Sequence, residues 1–95
     1  MVLRIDLYYA PFCGHCASVK RRLRAIAASN AEEIAYRELD VLNQLDAAVA
    51  LRIRATPALV INGKLAASGA LGPRRLRELL APYRETLHDE AIHDQ

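Results

Sequence analysis

Two thiols, Cys13 and Cys16, are the residues whose type and spacing most directly suit chemistry in this chain. Side chains three positions apart in a first helical turn share a face, so these sulfurs can close a disulfide within one turn. The chemistry is thiol–disulfide exchange, in which a thiolate attacks a disulfide sulfur and a second thiol resolves the mixed disulfide. A helix N-terminus offers unpaired N–H groups and about half a positive charge, which favours a thiolate at Cys13 relative to a free thiol of pKa about 8.5. Cys13 is thus expected as the exposed nucleophile and Cys16 as the partly covered resolving thiol. His15 lies between them, and a cationic imidazole there would favour the thiolate further and make the pair a better oxidant. The competing reading is a pair of cysteines that merely pack.

The elements that must position this pair follow from periodicity. Leu3, Ile5, Leu7 and Tyr9 alternate with Arg4, Asp6 and Tyr8 as in a strand that stops at Ala10-Pro11. From Gly14 the period becomes helical, with Val19, Leu23 and Ile26 inward until Ser29-Asn30, so the cysteines fall in that helix's first turn. Ile34 to Leu39 reads as a second strand, and Leu42, Leu45 and Val49 as the inner stripe of a short helix ending near Arg52. Ala58 to Ile61, the hairpin signal Asn62-Gly63 and Leu65 to Ser68 form an antiparallel pair of strands. Pro73 opens a last helix with Leu76, Leu79, Leu80 and Tyr83 on one face, and Pro82 kinks it or starts a new turn. The order β-α-β-α-β-β-α predicts an α/β fold, a four-stranded mixed sheet flanked by three helices.

At 95 residues one core is expected, with residues 1–87 as a single domain and 88–95 as a polar C-terminal tail. Hydrophobic residues at 53% against 25% charged describe an ordinary globular chain that folds by itself. No run approaches the roughly 20 apolar residues of a membrane span, and no signal peptide is visible after Met1. Two cysteines are too few for a secreted disulfide framework, which points to a reducing, cytoplasmic setting. A net charge of +2 is too small to imply nucleic acid. Lys20, Arg21, Arg22 and Arg24 read as the solvated face of the first helix, whereas Arg52 and Arg54 are better candidates for substrate contact at the rim of the site.

The segment Leu7 to Cys16, L-Y-Y-A-P-F-C-G-H-C, resembles the active-site segment of protein disulfide isomerase domains, and the wider chain resembles compact thioredoxin/glutaredoxin-like proteins. Ile53-Arg54-Ala55-Thr56-Pro57 resembles the loop that ends in a cis-proline in that family, and Asn62-Gly63 through Leu71 the hairpin and turn that follow. The likeness covers about residues 2 to 84 and implies the minimal thioredoxin-like fold, without the thioredoxins' N-terminal strand and helix. It implies a protein disulfide oxidoreductase, with Cys13, Cys16 and His15 as catalytic residues and with Phe12, Gly14, Arg54, Thr56 and Pro57 facing substrate. The backbone before Pro57 would pair with a bound peptide like an added strand. The implied partners are disulfide-containing proteins and an upstream reductant, either a thioredoxin reductase-like flavoprotein or glutathione. The chain is expected as a monomer with no cofactor.

The chain departs from that family in three places. Thioredoxins and isomerases carry a buried carboxylate six positions before the first cysteine, thought to take the second cysteine's proton, and here Leu7 stands there. Neighbouring Asp6 points to the opposite face by strand alternation and is expected as a solvated or ion-paired surface group. Phe12 replaces a tryptophan and is either an apolar surface beside the sulfur or part of the core. Ser68-Gly69-Ala70-Leu71 lacks the acid of the glutaredoxins' glutathione-holding segment. Two other classes remain open: a redox-sensing adaptor, and a zinc site combining Cys13 and Cys16 with His88 and His93. Among enzymes the direction is open, since C-G-H-C suggests a disulfide oxidant or isomerase and a cytoplasmic setting suggests reduction. The expected potential lies between about −270 and −180 mV.

Overall fold

The computed structural model describes residues 2–86. Strand β1 (Leu3–Tyr9) leads through a turn to helix α1 (Cys16–Ser29), followed by β2 (Ile34–Asp40), α2 (Leu45–Ala50), β3 (Ala58–Ile61), β4 (Lys64–Ser68) and α3 (Pro73–Leu80). A 3-10 segment, Ala81–Thr86, continues α3, as Pro82 leads one to expect. The strands lie in the order β2-β1-β3-β4, with β1 parallel to β2 and the β1–β3 and β3–β4 pairs antiparallel. The mixed sheet and element order expected from the sequence are therefore present. The C-terminal tail and the histidines His88 and His93 lie outside the described residues.

Strand alternation divides the core in two. Leu3, Ile5 and Leu7 of β1 join Leu59 and Ile61 of β3 beneath Val19, Leu23 and Ile26 of α1 and Leu76 and Leu80 of α3. Burial of each such Leu, Ile or Val contributes about 1.5–3 kcal/mol, so this face anchors the helix that Cys16 opens. On the opposite face Tyr8, Ala58 and Val60 pack with Ala47, Leu51 and Ile53, which puts α2 over the end of the sheet where β1 and β2 finish. Asn62 and Gly63 both have positive φ, 51° and 83°, as the two-residue turn between β3 and β4 demands.

The α2 stripe corrects the sequence reading. Leu42, Leu45 and Val49 are 60%, 58% and 75% exposed, while Ala48 is buried and Ala47 and Leu51 turn inward. The spacing identifies residues that share a side, but the small alanines let the helix approach the sheet and so take the inner side. The helix ends at Ala50 with Leu51 as its cap, near Arg52 as the sequence leads one to expect.

Candidate active site

The cysteines stand where β1 ends and α1 begins. Tyr9 closes the strand, Pro11 and Phe12 form a turn, and His15 is the N-cap of α1. Cys13 therefore precedes the helix rather than lying in its first turn, and Cys16 is its first residue. The backbone amide of Cys16 donates to the carbonyl of Cys13 over 3.3 Å, which folds the segment back on itself. The two cysteines are joined as a disulfide with their Cα atoms 5.4 Å apart, so the structure is that of the oxidised chain.

Exposure differs sharply across the motif. Cys13 is half-buried, Cys16 is 4% exposed, and Gly14 and His15 are exposed. An incoming sulfur thus meets Cys13 first. The N-cap residue His15 makes no side-chain capping bond and no acid occupies the first turn of α1, so no carboxylate of that turn offsets its positive end. The hydroxyl of Ser18 donates to the carbonyl of His15, 3.1 Å, and fixes the entry of the helix without using an amide. A Cβ at Gly14 would meet nothing within 4 Å, so the backbone between the thiols is open on its outer side.

Phe12 is fully exposed with φ at 63°, which removes it from the core and leaves an apolar ring next to Cys13 in the turn. A left-handed conformation in a bulky residue is sterically costly and is held by the turn on both sides of it. Thr56-Pro57 is cis, with Pro57 buried and Thr56 half-buried. The register Tyr8↔Ala58 brings this loop to the end of the sheet from which the Cys13 turn emerges. The carbonyl of Pro57 accepts from the amide of Gly69 over 2.9 Å. Arg54 is exposed on the same loop.

Leu7, where the resemblance calls for a carboxylate, is completely buried in the core beneath α1. Asp6 lies on the other face and receives Arg37 bidentately, Nε at 3.0 Å and a terminal nitrogen at 2.9 Å. Asp6 is ion-paired as expected, yet it is buried rather than a surface group, because neighbouring β2 carries Arg37 in register beside it. Alternation and this pairing keep it away from the thiols.

Sequence reading missed a second set of contacts around α1. Glu38 of β2 accepts from Arg24 at 2.7 and 2.6 Å and from the hydroxyl of Tyr36 at 2.8 Å. Hydrogen bonding from Arg24 is the main reason that the Glu38 carboxyl sits below the ordinary range, with Tyr36 adding to it and desolvation opposing. Burial, with help from Glu38, pushes the Tyr36 phenol upward. The Lys20 ammonium lies 3.5 Å from the centroid of the Tyr9 ring. Two of the four clustered cations of α1 therefore hold specific partners instead of forming only a solvated face. Spacing within α1 gave no sign of this, since both partners come from strands.

Among the described residues no group of three His, Cys, Asp or Glu is arranged as metal ligands are, and no helix is long and apolar enough to cross a membrane.

Comparison with known proteins places this geometry. Residues 3–85 match the family model described as Thioredoxin. A thioredoxin of Methanocaldococcus jannaschii is 29% identical over 68 residues, which span 72% of this chain and 80% of that protein. Among solved structures, the germline-specific thioredoxin Deadhead of Drosophila melanogaster is similar with a TM-score of 0.72 at 20% identity, covering 85% of this chain and 80% of its own. Fasciola hepatica thioredoxin is similar with a TM-score of 0.72 at 23% identity, covering 87% and 82%.

Proposed function

The chain belongs to the thioredoxin family of thiol–disulfide oxidoreductases, and from that premise we propose that it reduces disulfides in proteins through a Cys13/Cys16 dithiol–disulfide cycle. The observation that carries this reading is the asymmetry of the closed pair, with Cys13 accessible ahead of an uncapped helix and Cys16 buried at its first residue.

In the reduced chain the Cys13 thiolate attacks one sulfur of a substrate disulfide. The substrate's other sulfur leaves as a thiolate and takes a proton, and a mixed disulfide remains at Cys13. Cys16 then loses its proton and attacks the Cys13 sulfur, which releases the second substrate thiol and closes the Cys13–Cys16 bond. Two electrons have passed to the substrate, and an upstream donor, either a dithiol enzyme or two equivalents of a monothiol, must return them. A thioredoxin reductase-like flavoprotein or glutathione supplies them in this reading, in a reducing cytoplasm, with the chain acting as a monomer.

The surrounding residues take supporting roles. His15, exposed at the N-cap, adds positive charge beside the Cys13 thiolate when protonated. Phe12 offers an apolar face to the substrate, and Gly14 leaves the backbone between the thiols open to it. The backbone of Thr56, before Pro57, pairs with an extended substrate segment, and Arg54 contacts it at the rim.

The test is the pair of single substitutions. Cys13→Ser is expected to abolish disulfide reduction, whereas Cys16→Ser should accumulate a covalent complex through Cys13, visible by mass spectrometry and released by dithiothreitol. Full turnover after loss of Cys13 would sink the mechanism.

A further inference from the structure

We infer that Lys20 is a positioning residue for the second half of the cycle, its ammonium held one helical turn from Cys16 so that it favours the thiolate that resolves the mixed disulfide. This rests on the reading of Cys13 and Cys16 as an exchanging pair.

The need comes from burial. Cys16 is 4% exposed and must become a thiolate to attack Cys13, and a thiol shielded from water resists ionising unless a charge or a base stands near. The neighbouring core offers neither. Leu7 is apolar, Asp6 is bound to Arg37 on the other face of the sheet, and Leu59, Ile61, Leu76 and Leu80, which enter the same core from β3 and α3, carry no charge. Tyr83 of the 3-10 segment packs against that core as a phenol.

Lys20 supplies the charge. Residues four apart on a helix have Cβ atoms about 5–6 Å apart, and long side chains lean toward the helix N-terminus, so Lys20 extends from the turn after Cys16 back toward it. The ammonium is held in place 3.5 Å from the centroid of the ring of Tyr9, the last residue of β1. Cys16, Lys20 and Arg24 recur at intervals of four along the side of α1 that meets β2, as the bonds from Arg24 to Glu38 show. Glu38 neutralises Arg24, whereas no carboxylate among the described residues forms an ion pair with Lys20. Hydrogen bonding from Arg24 chiefly holds the Glu38 carboxyl low, and Lys20 adds least to that effect. His15 is exposed at the N-cap. Asp40, beside Tyr9 in register, is the rival group, a carboxylate that accepts from the amide of Leu42 over 2.8 Å and could take the proton itself.

In this step the Cys16 proton passes to solvent and the thiolate forms its bond to the Cys13 sulfur. The bond from Cys13 to the substrate breaks, and the substrate sulfur leaves with the electron pair and is protonated. Lowering the pKa of an attacking thiol by one unit raises its thiolate fraction tenfold and lowers its nucleophilicity by a Brønsted coefficient of about 0.4–0.5, a net gain of about threefold below that pKa.

The experiment mixes the reduced chain with a disulfide-linked peptide dimer in single turnover, quenches in acid and follows the Cys13–peptide mixed disulfide by mass from pH 5 to 9. Lys20→Met should slow its decay about threefold at pH 7 and move the pH of half-maximal rate up by about one unit. Lys20→Gln should do the same, and Lys20→Arg should keep the wild-type profile. Attack by Cys13, read as iodoacetamide alkylation in the Cys16→Ser background, should change less than twofold with Lys20→Met. A purely structural Lys20 would move the urea midpoint and leave the pH profile in place, which overturns the inference. A loss that Lys20→Arg shares in full overturns it as well, by assigning the effect to packing on Tyr9. So does a profile shifted by Asp40→Asn and not by Lys20→Met, which gives the proton to Asp40. In each of these cases a complex trapped by Cys16→Ser leaves the exchange cycle standing, whereas absence of that complex overturns both readings.

Discussion

Leu7 shows how much a single residue can change the expected chemistry. The position lies in the core beneath α1, facing the helix that begins at Cys16, and holds no proton acceptor. In the proposed cycle, resolution of the mixed disulfide requires a Cys16 thiolate, so its proton would leave by a route that does not use position 7. Leu7→Asp would put a carboxyl there, desolvated and raised above the free aspartate value. We expect it to speed release of the mixed disulfide severalfold near neutral pH, measured by single-turnover kinetics, and to cost about 2–4 kcal/mol of stability in urea unfolding. An unchanged release rate would mean that proton removal from Cys16 does not limit resolution.

At the scale of elements, α1 is held by its apolar face and by Arg24, which ties it to edge strand β2 through Glu38. Arg24 lies largely in solvent, so the pair is a small contribution beside the buried Val19, Leu23 and Ile26. Its pH dependence has a defined sign. Hydrogen bonds from Arg24 and Tyr36 hold the Glu38 carboxyl below its unfolded value of about 4.3, so its stabilisation is complete above that pH. It disappears as pH falls through the folded value. Glu38→Gln should therefore lower the urea midpoint modestly at pH 7, with the difference from wild type fading as pH falls below the unfolded value. A difference that persists undiminished in acid would show that the charge of Glu38 contributes nothing.

For the whole molecule, the quantity that matters is the reduction potential of the Cys13–Cys16 pair. In the proposed cycle a protonated His15 and the positive end of α1 would both favour the thiolate form and so move the pair toward the oxidising side. Equilibration in glutathione or dithiothreitol buffers with alkylation and mass readout should give a value between about −270 and −180 mV. A value at the lower end fits a reductase in a reducing compartment, and one at the upper end fits an oxidant or isomerase.

Much of this was legible in one dimension. The two cysteines, the alternation of β1, the period of α1, the Asn62-Gly63 turn and the order of elements are local properties, written in residue types and spacing. Chain geometry alone turns Asp6 away from Leu7. Tertiary structure decided what depends on which surface meets which. It turned Ala47 and Ala48 rather than Leu45 and Val49 toward the sheet, placed Phe12 in solvent, buried Asp6 against Arg37, and gave Arg24 and Lys20 partners on the strands. Periodicity groups side chains into faces, but only packing against the rest of the chain selects the face that is buried. In this molecule that selection leaves Phe12, Leu42, Leu45 and Val49 in solvent.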